Sequence, residues 1–344
     1  MPLLLCTALL LAGVLAHARS GAPAEVLRTR TRMNVLAACL EEYCRQHGEF
    51  PKNPAEILPD RPQFTADEWG RGFALEKSKK DVILTCYGKD GKPGGAGEDA
   101  DLRLALVPGA CLGPTSASSP EKSRTMEEGN GMEPRIIQMV VGKLAVCAYI
   151  VGDPVTRRAA LVDPAFEVPE ILAAAQAAGY TVTLVINTHG HPDHISGNAE
   201  ALRATGARLC CHRLEAGQVS GLLSGTFARV MGGKGSPKPD ILVEDGQTIS
   251  VGNLEIRVIH TPGHTRGGIC LLCGPNVFTG DTLFVNGVGR TDLPGASEKV
   301  LAESIRSKLF TLPDETVVWP GHDYGDSLTT TIGREKKENP FVRP

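Results

Sequence analysis

Three histidines and an aspartate fall within six residues of the stretch INTHGHPDHISG: His189, His191, Asp193 and His194. The 344-residue chain has only nine histidines, so a third of them crowd into one loop. Neutral imidazole and carboxylate together suit zinc, iron or manganese. His189 and His191 stand two apart just beyond the apolar run TVTLVIN, and Asp193 and His194 follow where the loop turns into a helix. Alone, the cluster offers two ligands to one ion and two to another. His264 in HTPGHTRGG, Asp281 in FTGDTLF and His322 in WPGHDYG add three more, each where an apolar strand ends. Five histidines and two aspartates suffice for two ions sharing a bridging carboxylate. His260 reads as a packing residue beside this set, and His47 and His212 as plain surface.

The elements that must position these residues alternate between strands and helices. IIQMVVGKLAVCAYIVGD reads as two strands with a turn near Gly142 and Lys143. AALVDPA is a buried strand ending at Asp163, and EVPEILAAAQAAGY a helix closed by Gly179. LEIRVIH, GICLLC, NVFTG and ETVVW are further strands, and SEKVLAESIRSKL a helix. Many strands are joined by short turns, which predicts mixed sheets with helices outside. Cys210 and Cys211 are adjacent on a strand and so point to opposite faces. Cys270 and Cys273 read as two small buried residues rather than a redox pair.

Upstream the pattern changes. Residues 1–18 are an apolar run ending in AHA, which reads as a secretory signal or an apolar anchor, and hence as an exported or membrane-anchored protein. RTRTR, Arg28 to Arg32, would flank such an anchor on its cytoplasmic side. Residues 25–107 form a first domain: MNVLAACLEEYCRQHG places Val35, Leu36, Cys39, Leu40 and Tyr43 on one helical face, stopped by Gly48 and Pro51. Short strands and a glycine-rich acidic loop follow, in which Asp90, Asp99 and Asp101 offer the hard oxygens calcium takes. Cys86 and Cys111 are the pair to test for a disulfide. Residues 108–133 lack periodicity and read as a linker, leaving 134–344 as the second domain. A net charge of -3 and few aromatics give no footprint for nucleic acid.

THGHPDH, TPGHT, FTGDTLF and PGHDYG resemble the metallo-β-lactamase superfamily over about two hundred residues. The resemblance implies an α/β (α+β) fold, an αββα sandwich with two metals at one edge of its sheets. It implies that His189, His191 and His264 hold the first metal, that Asp193, His194 and His322 hold the second, and that Asp281 bridges them. Asp163 matches a position that orients ligands. Two divalent ions, zinc first and iron or manganese after it, acidify a bridging water toward ~7, and the hydroxide attacks a carbonyl. Asp193 would also handle a proton, a catalytic role beside its ligand role.

VNGVGRTDLPGAS and TTIGREKKENPF resemble the glyoxalase II group, which hydrolyses thioesters of glutathione; the resemblance implies that Arg290 contacts the substrate. The chain ends 22 residues after His322, which implies a short form of that group. Persulfide dioxygenases share the fold and the GRTD and HDY sequences, and would use one iron on His189, His264 and Asp281. EYCRQHGEFP, DEWGRGFAL and YGKDGKPGGAGEDADL resemble the soluble part of the major pseudopilin of type II secretion systems. That likeness implies a helix, a small sheet and a calcium loop on Asp90, Asp99 and Asp101, and a contact with a secretion apparatus or the envelope.

Overall fold

The computed structural model describes residues 24–59, 61–77, 82–94, 99–106 and 133–344. The apolar segment 1–18 and the linker up to residue 132 lie outside them, as does Cys111. No helix among the described residues is long and apolar enough to cross a membrane.

Helix α1 (Ala24–His47) starts well before the amphipathic stretch that the sequence predicts. Ion pairs support its extra turns: Arg28 and Arg32, four apart on one face, both reach Glu68, and Arg30 lies 3.5 Å from Asp323. The arginines of RTRTR therefore have partners within the protein. At the other end Gly48, at φ +79°, turns its N–H back to the Cys44 carbonyl (2.7 Å) and closes the helix. Strands β1 (Ala74–Lys77), β2 (Val82–Cys86) and β3 (Leu102–Leu106) form an antiparallel sheet beside it. Cys44 is disulfide-bonded, whereas Cys86 is a free thiol, which corrects the expected Cys86–Cys111 pair. The Cys86 Sγ faces the Asp67 carboxylate at 3.6 Å inside this unit, and burial pushes its thiol up to about 11.

The remaining chain builds two six-stranded sheets. The first runs β4 (Arg135–Val141), β5 (Val146–Gly152), β6 (Arg158–Val162), β7 (Thr181–Ile186), β8 (Arg208–His212), β9 (Ile241–Val243) in spatial order. Its first three strands pair antiparallel and the rest parallel. Between them lie α2 (Val168–Ala177), α3 (Pro192–Ile195), α4 (Asn198–Thr205), α5 (Ala216–Val219) and α6 (Leu222–Val230). The second sheet holds β10 (Thr248–Val251), β11 (Leu254–His260), β12 (Ile269–Cys273) and β13 (Asn276–Gly280). A small hairpin, β14 (Leu283–Phe284) and β15 (Gly287–Val288), precedes α7 (Glu298–Ser304). Strands β16 (Val317–Pro320) and β17 (Thr330–Thr331) complete the sheet, and α8 (Ile332–Glu338) follows.

Strand periodicity divides the core. On β4 and β5, Ile137, Met139, Val146, Ala148 and Ile150 face the helical layer, while Val140, Cys147, Tyr149 and Val151 face the second sheet. Cys211 and Cys210 part the same way, as expected. Cys270 and Cys273 are buried free thiols, also as expected. Leu301, Ile305 and Ile332 cover the outer face of the second sheet, so helix, sheet, sheet and helix stack in four layers.

Helix α1 belongs to this stack. Leu36, Leu40 and Cys44 share one apolar cluster with Ile137, Met139 and Ile171. β4 is an edge strand, whose unpaired backbone groups invite unwanted pairing. Thr31 Oγ1 accepts the Val140 N–H (3.0 Å) and Asn34 Nδ2 donates to Gln138 O (2.9 Å), so α1 occupies that edge. Ion pairs Glu41–Arg135 and Glu42–Arg157 reinforce the contact. Leu36 is fully buried there. Leu36→Ala is expected to lower the stability of the whole molecule by about 2–5 kcal/mol. Calorimetry should show one shifted transition; a separate early transition with the main one unmoved would contradict a common core.

Candidate metal centre

The two sheets meet at one edge, and the chemistry-bearing residues gather there. The Thr188 carbonyl, just past β7, accepts the Ile269 N–H of β12 (2.9 Å), and His322 bridges to Val146 of β5. Two glycines make the approach possible. A Cβ on Gly280 would lie 2.4 Å from Thr188 Oγ1, and one on Gly321 would lie 2.4 Å from Asp281 Oδ1. Only a residue without a side chain fits at either place.

Two of the trios of ligand atoms that result match the expected sets, His189, His191 and His264, and Asp193, His194 and His322, with donor atoms within 4.8 Å of one another in each; a third, Asp163, His189 and His194, draws on the carboxylate behind them. Asp281 stands between the first two. Its Oδ1 is 3.3 Å from His194 Nε2, and its Oδ2 is 3.4 Å from His264 Nε2 and 3.5 Å from His322 Nε2. Asp281 Oδ1 is buried with no hydrogen-bond partner, an expensive state for a carboxylate oxygen unless a cation meets it.

Hydrogen bonds fix which nitrogen each ring presents. His194 Nδ1 donates to Asp163 Oδ2 (2.9 Å), His322 Nδ1 to Leu144 O (2.8 Å) and His264 Nδ1 to Arg290 O (2.7 Å). Thr188 gives its hydroxyl proton to Asp163 Oδ2 (2.6 Å), so its oxygen accepts from His189 Nδ1 (3.1 Å). In all four rings Nε2 therefore points inward. His194 Nε2 and His322 Nε2 face each other across 3.2 Å; His189 Nε2 and His264 Nε2 approach His191 Nδ1 at 3.1 and 2.8 Å. Rings so converged seek a positive charge, as inward lone pairs around a cation do.

The electrostatics differ between the two trios. Burial, then the neighbouring His194, holds His189 well below the usual imidazole range; burial and His264 lower His191 to about 3. Both thus stay neutral, the state a ligand needs. Burial opposes charge on His194 and His322 too, but Asp281 and Asp193 outweigh it and raise both. Burial would raise Asp281, but the charges on His322 and His194 hold it well below the carboxylate range. The donor set, the orphaned Asp281 oxygen and the fixed tautomers fit two divalent ions.

The structure thus brings together all seven expected ligands, and Asp163, 1% exposed, lies behind them as expected. Asp163 sits at φ +47°, a strained conformation for a non-glycine residue that recurs at functional sites. Arg290 reaches the rim, where Asp292 engages it with two bonds (2.7 and 2.6 Å). Tyr324 of the HDY sequence stacks on His322 (4.5 Å between rings, 13°). Burial, then Asp281 and Asp193, push its hydroxyl upward, so it remains a donor. His212, read as surface, is instead buried against His260, the rings stacked at 4.3 Å; His260 packs as expected. Asp90 and Asp101 spend oxygens on the Lys92 and Gly94 N–H groups, and with Asp99 they do not converge as a ligand trio. Two residues escaped sequence reasoning. Glu215 and Glu335 are buried carboxylates with no local motif to flag them.

An αββα sandwich with two ligand trios around a shared aspartate defines a class of metal-dependent enzymes. The chain belongs to the metallo-beta-lactamase superfamily, whose pattern matches residues 141–322, more than half of it. Hydroxyacylglutathione hydrolase of Polaromonas sp. is 36% identical over 192 residues, 54% of this chain and 66% of that protein. The chain thus spans just under two thirds of that relative's length. Mitochondrial persulfide dioxygenase ETHE1 of Homo sapiens is 30% identical over 215 residues, 62% of this chain and 77% of that protein. The crystal structure of TTHA1623 in a di-iron-bound form matches with a TM-score of 0.51 at 34% identity, covering 60% of this chain and 99% of that one.

Proposed function

We propose that this chain is a dinuclear metal-dependent hydrolase that cleaves a thioester of the hydroxyacylglutathione kind. The observation that carries the reading is the second trio. His194 is fully buried, its Nδ1 is tied to Asp163, and its Nε2 faces His322 Nε2 at 3.2 Å. Asp193, His194 and His322 thus form a second ligand trio that the mononuclear reading, on His189, His264 and Asp281, leaves unused. Two divalent ions, zinc first, would supply an acidified water and a Lewis acid for the carbonyl oxygen. The protein's own residues do the rest. Asp281 holds the two positions in register. Asp193, 18% exposed at its side chain, accepts a proton and passes it to solvent. Tyr324 donates its O–H to the substrate, and Arg290 takes an anionic end of it in exchange for Asp292. Burial of the histidines keeps bulk water from competing.

A second reading, a mononuclear iron persulfide dioxygenase, draws on the subset His189, His264 and Asp281, with His264 Nε2 3.4 Å from Asp281 Oδ2. One experiment separates them. The hydrolase predicts two metals per chain, thioester cleavage without oxygen, and a loss of about 10²-fold or more in turnover for His322→Ala, the size of effect that follows removal of a few kcal/mol of transition-state stabilisation. One iron per chain, oxygen uptake on glutathione persulfide and an active His322→Ala variant would establish the dioxygenase instead. The apolar first segment supports an exported or membrane-anchored protein. The likeness of the N-terminal sequence to a pseudopilin supports docking to a secretion apparatus or the envelope.

A further inference from the structure

We propose that Glu215 is a positioning residue that sets the spacing between the two loops carrying the first metal's histidines. It stands in the turn between β8 and α5, 1% exposed. Its Oε2 accepts the Gly190 N–H at 2.7 Å, between His189 and His191. Its Oε1 accepts the Gly267 N–H, also at 2.7 Å, three residues beyond His264. One carboxylate thus ties together two loops that come from different sheets. Bonds from backbone N–H to a carboxylate are short and strong when buried.

The clamp is itself rigid. The Glu215 N–H binds His212 O (2.9 Å), and its carbonyl accepts the N–H groups of Gln218 (2.9 Å) and Val219 (2.8 Å). Both partners are glycines for a steric reason. A Cβ on Gly190 would lie 2.9 Å from Glu215 Oε2, and one on Gly267 2.9 Å from its Cγ. His212, at the start of the turn, is itself held by the stacking of its ring on His260.

The clamp serves one trio only. His194 is oriented by Asp163 and His322 by the Leu144 carbonyl, neither of which touches Glu215. The expected result of disturbing Glu215 is a shift of His189 and His191 relative to His264, with the His194 and His322 rings still held by Asp163 and the Leu144 carbonyl. Groups that orient ligands in this way are worth 10–100-fold in metal affinity.

The inference rests on the dinuclear reading, and its test keeps the two apart. Cobalt(II) is titrated into metal-free protein and followed by its visible spectrum, in wild type and in a His322→Ala background that leaves the first trio to be read alone. Glu215→Gln keeps the volume but turns an amide N–H against a backbone N–H. It is expected to weaken cobalt binding about tenfold in both backgrounds, and Glu215→Ala up to about a hundredfold, while the metal-free Gln variant melts within a few degrees of wild type. Wild-type affinity in the Gln variant overturns the proposal, as does parallel loss of both ions in the otherwise wild-type chain. If Glu215→Ala fails to fold, the Gln variant decides. A wild-type protein that binds one ion would overturn the dinuclear reading but leave the Glu215 comparison intact.

Discussion

Replacing Asp281 with alanine should lower thioester turnover by at least ~10³-fold, equivalent to about 4 kcal/mol of lost transition-state stabilisation, and leave less than one tightly bound ion per chain. No other ligand has this reach. Its two oxygens lie 3.3–3.5 Å from imidazole nitrogens of both trios, so removing it deprives both positions of their shared negative charge. The metal-free fold should survive. Asp281 forms no hydrogen bond through its Oδ1, and the loop that carries it is fixed by backbone contacts such as Gly321 N–H to Gly280 O (2.9 Å). Metal analysis after gel filtration, steady-state kinetics and a melting curve of the metal-free variant test the three parts separately. A variant that keeps two ions and wild-type turnover would show that Asp281 is not the bridge.

The seven candidate ligands could be picked out in the sequence because each sits in a short motif at the end of an apolar strand, and strand ends on one side of a sandwich converge. The ordering of the layers comes from the resemblance, while the residues alone predict mixed sheets with helices outside; the burial of β4 and β5 on two faces, with a run such as VCAYIVG that has no solvated side, fits both. What escaped was long-range. Glu215 acts on amides 25 and 52 residues away, through backbone groups that every residue possesses. The amphipathic face of α1 shows that Leu36 and Leu40 are buried, but not against what; the covering surface proved to be β4, a hundred residues on. His212 looks like a loop histidine until β11 brings His260 over it. Arg290 enters through the resemblance as a substrate contact, and the fold of its own loop pairs it with Asp292.

Asp163→Asn should weaken both ions together, by roughly 10–100-fold in affinity, in contrast to the one-sided effect expected at Glu215. Four donors converge on this buried carboxylate: the Thr188 N–H (2.8 Å) and Asn187 Nδ2 (3.4 Å) on Oδ1, the Thr188 hydroxyl (2.6 Å) and His194 Nδ1 (2.9 Å) on Oδ2. Asparagine tolerates the residue's positive φ, so the backbone is spared. Its amide, however, has one acceptor oxygen where the carboxylate has two. If the NH₂ group faces His194, the ring's proton moves to Nε2 and the lone pair aimed at the second metal is lost. Thr188, with its own proton no longer drawn to Asp163, ceases to hold His189 Nδ1 as a donor, and the first trio loses its orientation too. Dialysis against a chelator of graded strength should strip both ions from Asp163→Asn at concentrations that wild type resists. In enzyme loaded with excess metal, kcat should fall while KM stays near wild type, because Asp163 orients ligands and does not meet the substrate. Retention of both ions with unchanged kcat would mean that the imidazole tautomers are fixed by something other than Asp163.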